Sequence, residues 1–250
     1  MIDLQNEKNN LVLGILGGLG PMATVYFYEM LTEHTRAEKD QDHIDIIISS
    51  RATTPDRTAF VLGKSEENPL CVMKSEAEKL IEAGTELISI PCNTAHYFYD
   101  ELAKSVTVPI VNIIYETLSY IKRTGAKKIG VLATDGTVMS GAYEQMCKKM
   151  GIGYEVPSPD RQKMLSEIIY SEIKQGKDAD MRKFGEICDE LRSRGCEKLV
   201  LGCTELSLIA RKNDLGAEFV DSLQVLAART IRLCGKETVG FGEDFMKYID

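Results

Sequence analysis

The sequence predicts an α/β fold of two similar doubly wound parallel-sheet units, related by internal pseudo-symmetry, with a ligand cleft between them. Three observations predict it. Strand-length aliphatic runs alternate with longer segments of helical period. The runs are almost continuously apolar, as expected of strands covered on both faces. A pattern of helix end, glycine, strand and cysteine occurs twice, in residues 80–92 and 191–203, with Gly84 and Cys92 eight residues apart and Gly195 and Cys203 eight residues apart.

In chain order, strands are expected at residues 11–16, 44–50, 86–90, 108–113, 128–133, 198–201 and 218–220, each short, mostly aliphatic and flanked by Gly, Pro or polar residues. Helices are expected at 22–36, 69–83, 94–104, 113–124, 137–150, 160–175, 179–193 and 221–234. Gly84, Gly125, Gly151 and Gly195 follow helical segments and suit the left-handed position that ends a helix. Met139, Met146 and Met150 fall at helical spacing and read as core, and the Glu/Lys alternation around residues 74–79 reads as a solvated helix face. A second repeat pairs residues 14–20 with 130–136, each followed by a tyrosine, Tyr26 or Tyr143. The repeats divide the chain into a first unit of residues 1–115 with 218–250 and a second of 116–217.

Composition narrows the function. The chain has 250 residues, 44% hydrophobic and 27% charged, which is ordinary for a globular protein. The formal net charge of −8 argues against a nucleic-acid surface. The polar Met1 to Asn10 carries no apolar core of a leader, and the 12 near-apolar residues 11–22 are too few to cross a bilayer. Seven cysteines, none in a C-x-x-C spacing, read as free thiols in a reducing cytoplasm. No membrane partner is expected.

Cys92 and Cys203 stand at the carboxyl ends of corresponding strands, where open α/β sheets bind ligands. Asn93-Thr94 and Thr204-Glu205 follow them as helix starts, whose free N–H groups favour a carboxylate and a thiolate. If the units face each other, the two thiols flank one ligand. One thiolate would remove a Cα proton and the opposite thiol would deliver one to the other face, which is stereoinversion. Cys71, Cys147, Cys188, Cys196 and Cys234 read as buried structural residues.

Four ordered motifs carry a resemblance: residues 14–21 (Gly-Ile-Leu-Gly-Gly-Leu-Gly-Pro), 55–59 (Pro-Asp-Arg-Thr-Ala), 91–96 (Pro-Cys-Asn-Thr-Ala-His) and 202–205 (Gly-Cys-Thr-Glu). The chain resembles the aspartate/glutamate racemase family from about Leu11 to Leu233. It is closer to the aspartate racemase branch than to cell-wall glutamate racemases, which usually carry Cys-Thr-His at the second site. The resemblance implies a racemase that needs neither PLP nor metal, has two α/β domains and is commonly a homodimer. It implies that Cys92 and Cys203 are the acid/base thiols and that Asn93, Thr94 and Thr204 anchor the substrate carboxylate. Arg57 would face the distal carboxylate of a small acidic amino acid, as a bidentate guanidinium suits, and Lys174 would enter from the second domain.

Other residues near the motifs are weaker candidates. Thr134 and Thr137 line the second glycine turn. Arg51 adds a cation where family members often carry Asn or His and a Pro, and it could meet substrate or pair with Asp56. His96 and Glu205 could tune Cys92 and Cys203. Residues 18–23 satisfy G-x-G-x-x-A, but the acidic residue expected at the end of the second strand is missing, which argues against a dinucleotide. Cys92-x₃-His96 has no further ligand at metal spacing, so no metal is expected. The tail beyond Lys236, with Phe241, Phe245 and Tyr248, reads as a surface or dimer-edge segment. Two alternatives remain: a cysteine-dependent decarboxylase or isomerase on the same scaffold, and a non-catalytic dicarboxylate-binding protein.

Overall fold

The computed structural model describes residues 10–249, so all but Asn10 of the polar N-terminal segment, and Asp250, lie outside the described residues. Two four-stranded parallel sheets form. The first contains β1 (Leu13–Gly17), β2 (Ile46–Ser50), β3 (Leu87–Ser89) and β4 (Ile110–Val111) in the order β2-β1-β3-β4. The second contains β5 (Lys128–Leu132), β6 (Gly153–Glu155), β7 (Lys198–Leu201) and β8 (Phe219–Asp221) in the order β6-β5-β7-β8. Counted from its own first strand, each sheet has the same order. The internal repeat therefore reflects a repeated topology: β3 ends before Cys92 and β7 ends before Cys203, each one strand from its sheet's first.

Helices cover the sheets. In chain order they are α1 (Pro21–His34), α2 (Arg57–Val61), α3 (Pro69–Glu82), α4 (Tyr99–Ser105), α5 (Ile113–Thr124), α6 (Asp135–Met139), α7 (Ala142–Met150), α8 (Pro159–Glu167), α9 (Met181–Ser193), α10 (Ser207–Lys212), α11 (Ser222–Leu233) and α12 (Glu243–Met246). Pro21, Pro69 and Pro159 start α1, α3 and α8, where a missing N–H costs nothing. Gly84, Gly125, Gly151 and Gly195 all take positive φ as expected. Apolar side chains of α1, α5, α7 and α11 join residues of both sheets in one central core. Separate cores lie under α3 and α4 on the first sheet and under α8 and α9 on the second.

Several local expectations are corrected. β6 reads Gly-Tyr-Glu and has no apolar run, so hydrophobicity does not signal it. Residues 137–150 are two helices, because Gly141 takes φ 67° between them, and this leaves Met139 exposed while Met146 and Met150 pack on the core. Residues 160–175 relax after α8 into a π turn, Ile168–Glu172, and a 3₁₀ turn, Ile173–Gln175. β8 pairs with β7, so residues 219–221 belong to the second sheet although the sequence boundary at 218 places them with the first unit. Cys71 is exposed, whereas Cys147, Cys188, Cys196 and Cys234 are buried. Glu76 is not on a solvated face: it is buried and accepts hydrogen bonds from Ser49, Arg51 and Lys79.

The tail folds back on its own chain. Phe241 stacks on His34 with ring centroids 3.9 Å apart, and Phe245 and Tyr248 pack around Tyr120. Arg123 and Arg229 donate to the carbonyls of Tyr248 and Ile249, and Arg229 also pairs with the buried Glu116 at 3.0 Å. Ile249 is fully buried in the central core. Ile249→Ala is expected to cost about 3 kcal/mol. For a chain of this size that lowers the Tm by roughly 6–12 °C in a thermal melt.

Candidate active site

The carboxyl ends of both sheets meet at a small cavity. It is lined by Leu19, Asp56, Arg57, Thr58, Cys92, Asn93, Thr94, Thr134, Tyr170, Lys174, Cys203, Thr204 and Glu205. Its volume is about 20 Å³, room for a single water. A wider groove of about 690 Å³ shares Asp56, Arg57, Lys174 and Glu205 with it. Lys174 Nζ lies 3.4 Å from Glu205 Oε1 and 4.8 Å from the centre of the Tyr170 ring, so this cluster stands between the groove and the thiols.

The first unit supplies its loops through tight turns. Gly18, after β1, takes φ 80°, and a Cβ there would lie 2.5 Å from the Arg51 backbone. Asp56 caps α2 by accepting from the Ala59 N–H. This presents Arg57, which is buried. Its Nη1 donates to the carbonyls of Thr54 and Pro55 and its Nη2 to that of Leu19. Its Nε is buried without a hydrogen-bond partner. Gly136 in α6 allows the second unit to approach, since a Cβ there would lie 2.7 Å from Thr58 Cα.

Cys92 and Cys203 are both buried and both line the cavity. Burial pushes the Cys92 thiol up, opposed by the nearby Arg57 charge and the Ala95 N–H. Burial also pushes Cys203 well up, and the adjacent Glu205 carboxylate adds to it. Cys203 Sγ donates to Glu205 Oε2 at 2.9 Å. The expectation that helix starts lower both thiols is corrected: backbone N–H groups do act in that direction, but loss of water outweighs them. Neither helix begins as expected. Residues 94–98 form a 3₁₀ turn that the Asn93 side chain does not cap, and α10 begins only at Ser207.

The remaining sequence candidates separate clearly. Thr94, Thr134 and Thr137 form a hydroxyl triangle with sides of 2.8–3.1 Å, with Thr94 and Thr134 at the cavity and Thr137 completing it. Burial works against the charge of Lys174, but Glu205 and the thiols hold the ammonium above its ordinary range. Arg51 is not among the lining residues. It reaches Glu76 at 3.2 Å and Thr53 at 3.0 Å rather than Asp56 or the cavity. His96 also lies behind the cavity wall. Its Nδ1 meets the Cys92 carbonyl at 2.9 Å and its Nε2 accepts from the Ile113 N–H at 3.2 Å, which assigns the Nδ1–H tautomer. Asp56, Thr58 and Tyr170 line the cavity but were not sequence candidates. Tyr170, which donates to Thr58 Oγ1 at 3.0 Å, precedes Lys174 by four residues and was visible as a helical neighbour.

Comparison with known proteins settles the family. The pattern of the Asp/Glu/hydantoin racemase family matches residues 16–230. The chain belongs to this family. Among racemases, it is 28% identical over 225 residues to the broad specificity amino-acid racemase RacX of Bacillus subtilis, covering 88% of this chain and 96% of that one. It is similar in structure to the aspartate racemase of Picrophilus torridus, with a TM-score of 0.84 and 29% identity, covering 96% of this chain and all of that one. An aspartate racemase homologue from Pyrococcus horikoshii gives 0.73 and 28%, covering 89% and 98%. Two parallel four-stranded sheets with flanking helices are thus the racemase fold. No helix among the described residues is long and apolar enough to cross a membrane.

The buried His96 makes the racemase fold acid-sensitive. Burial lowers its pKa to about 4 from 6.5, so it is neutral when folded and takes up a proton on unfolding below pH 6.5. Its stabilisation is complete above pH 6.5 and is lost as the pH falls toward 4, up to roughly 3 kcal/mol. Asp221, pushed up to about 6 by burial, acts oppositely between about pH 4 and 6. The diagnostic is therefore a difference: between pH 7 and 4 the Tm of the parent is expected to fall more steeply than that of His96→Gln.

Proposed function

We propose that this racemase interconverts the enantiomers of an acidic amino acid, aspartate before glutamate, by two-base proton transfer between Cys92 and Cys203. The observation that supports it is that two buried thiols and the buried Arg57 line one cavity at the ends of matched strands, with the more exposed Lys174 also at its wall. Arg57 has no carboxylate among its hydrogen-bond partners and an unpartnered Nε. The side-chain carboxylate of a dicarboxylate supplies both the missing acceptor and the missing charge. The α-carboxylate fits the hydroxyls of Thr94, Thr134 and Thr204, with Thr137 fixing the first two and Asn93 beside them.

In this reading Cys92 and Cys203 share one proton. Arg57 favours the thiolate at Cys92, and Glu205 favours the thiol at Cys203. Removal of the Cα proton breaks C–H and forms S–H at one cysteine. The opposite cysteine breaks its S–H and forms the new C–H on the other face. Fixed dipoles and cations stabilise the developing carbanion in a cavity with little water. Substrate must displace Lys174 from Glu205 to enter, because 20 Å³ does not hold an amino acid. The two thiols carry both proton transfers, so the scheme requires neither PLP nor a metal. A reducing compartment, the cytoplasm, suits seven free cysteines. The two-unit division and a homodimer complete the proposal.

A broader substrate range is the second reading, favoured by the similarity to RacX. A panel of L-amino acids in D₂O, followed by polarimetry and the α-proton signal, separates the two. Aspartate turned over well ahead of neutral amino acids supports the first. Cys92→Ala and Cys203→Ala are each expected to lower racemisation by at least about 10²–10⁴-fold, while Cys188→Ala leaves it unchanged. Racemisation retained in either site variant rules out two-base transfer.

A further inference from the structure

We propose that Tyr143 and Ser222 are positioning residues that lock the Cys92 loop to the Cys203 loop, an assignment that rests on the two-thiol reading above. Tyr143 Oη, on α7, donates to Asn93 Oδ1 at 2.8 Å. Asn93 Nδ2 donates to Ser222 Oγ, at the start of α11, at 3.0 Å. Ser222 Oγ donates in turn to the Leu201 carbonyl, at the end of β7, at 2.7 Å. From Asn93, beside Cys92, the bonds run through Ser222 to Leu201, the last residue of β7 and two before Cys203, while Tyr143 anchors Asn93 from α7. All three side chains are buried: Tyr143 is 1% exposed, Asn93 3% and Ser222 0%.

The chemistry of these positions points to orientation rather than to filling. Tyr143 lies in the central apolar core, where phenylalanine would occupy nearly the same volume. A buried hydroxyl there is unfavourable unless bonded, and this one is bonded to the residue next to the candidate base. Asn93 has both ends of its amide engaged by the protein, so the plane of the amide is fixed and one Nδ2 hydrogen remains for the cavity. Ser222 acts at both ends, accepting from Asn93 and donating to the backbone that leads to Gly202 and Cys203. The Thr94–Thr134–Thr137 triangle ties the same loop to the end of β5, which restrains the Cys92 loop in a second direction.

Two-base transfer depends on this alignment more than substrate binding does. In the proposed reaction the substrate is held by Arg57 and the threonines, whereas inversion needs the second thiol in line with the face of Cα opposite the one that lost its proton. A displacement of about 1 Å can cost about 10²-fold in such a step. If the donating thiol is misplaced, the carbanion lives longer. The first thiol, having exchanged its proton with D₂O, then returns a deuteron to the same face. Exchange with retention therefore rises relative to inversion.

The test uses the full chain and the fastest substrate of the panel, in D₂O, for the parent, Tyr143→Phe and Ser222→Ala. Inversion is read by chiral chromatography, deuteration with retention by mass spectrometry of the separated enantiomers, and folding by the Tm. In both variants kcat for inversion is expected to fall about 10–100-fold, with KM within about threefold, and the ratio of retained exchange to inversion to rise about tenfold. Unchanged kcat and ratio, or exchange and inversion falling in equal proportion, would overturn the assignment while leaving the two-thiol reading intact. A folded parent that exchanges no α-proton on any amino acid of the panel overturns that reading and the assignment with it.

Discussion

A thiol taken out of water is a weaker acid, and the architecture around Cys92 and Cys203 is ordered by that penalty. Both sulfurs are pushed up by burial, yet a base for Cα must be a thiolate. The fold offsets this with charge rather than with solvent. Arg57 stands nearest in effect to Cys92, and Lys174 acts on both thiols in the same direction. Arg57 itself is buried and held by carbonyls of Leu19, Thr54 and Pro55, so it cannot relax toward water to escape its own desolvation. Among the described residues its hydrogen-bond partners are all carbonyls, and a buried cation so placed favours a nearby anion. In the proposed reading that preference links the acidity of the thiols to the charge of the ligand.

The same electrostatics acts at the cavity wall. Lys174 pairs with Glu205 and lies against the Tyr170 ring. Tyr170 sits in the π turn and Lys174 in the 3₁₀ turn that follow α8, where regular helical hydrogen bonding has been given up. Glu205 is held between Cys203, Lys174 and the Gly20 turn, where a Cβ would lie 2.8 Å from its Oε1. In the proposed reaction an arriving dicarboxylate would compete with Glu205 for the lysine. Opening the cavity and changing the charge beside Cys203 are therefore one event.

The sequence made the strands and the thiols legible because both depend on local rules. Aliphatic runs mark β1, β3, β5 and β7, and the fixed spacing from Gly84 and Gly195 places each cysteine just past its strand. Residues that act through distant partners were not legible in the same way. Glu76 looks like part of a solvated charge pattern, and its burial depends on Ser49 and Arg51, some 25 residues earlier. Tyr143 was visible only as a repeat marker, because its partner Asn93 is 50 residues away in the chain. β6 is an edge strand, held by its backbone pairing, by Tyr154 on the central core and by the Lys128–Glu155 ion pair, so it carries no apolar run. Asn93 read as a helix cap because its residue type favours caps, yet long-range bonds to Tyr143 and Ser222 claimed its amide instead.

The repeated strand order explains why there are two thiols, and the departures from symmetry explain how they divide the work. Matched topology, β2-β1-β3-β4 and β6-β5-β7-β8, delivers a cysteine from each sheet to one cavity. A perfectly symmetric pair would share its proton equally, so half of the molecules at any instant would present the wrong form to a given enantiomer. The surroundings are not symmetric. Arg57 belongs to the first unit and favours a thiolate at Cys92, whereas Glu205 belongs to the second and favours a thiol at Cys203. In the proposed one-proton scheme these charges would bias the pair toward a thiolate at Cys92 and a thiol at Cys203. In the proposed two-base scheme each inversion moves the proton from one sulfur to the other, so a turnover would finish in the opposite pattern. The bias must then be small enough for the return step, which limits how strongly Arg57 and Glu205 can oppose each other. Lys174, acting on both thiols in the same direction, lowers the cost of either thiolate.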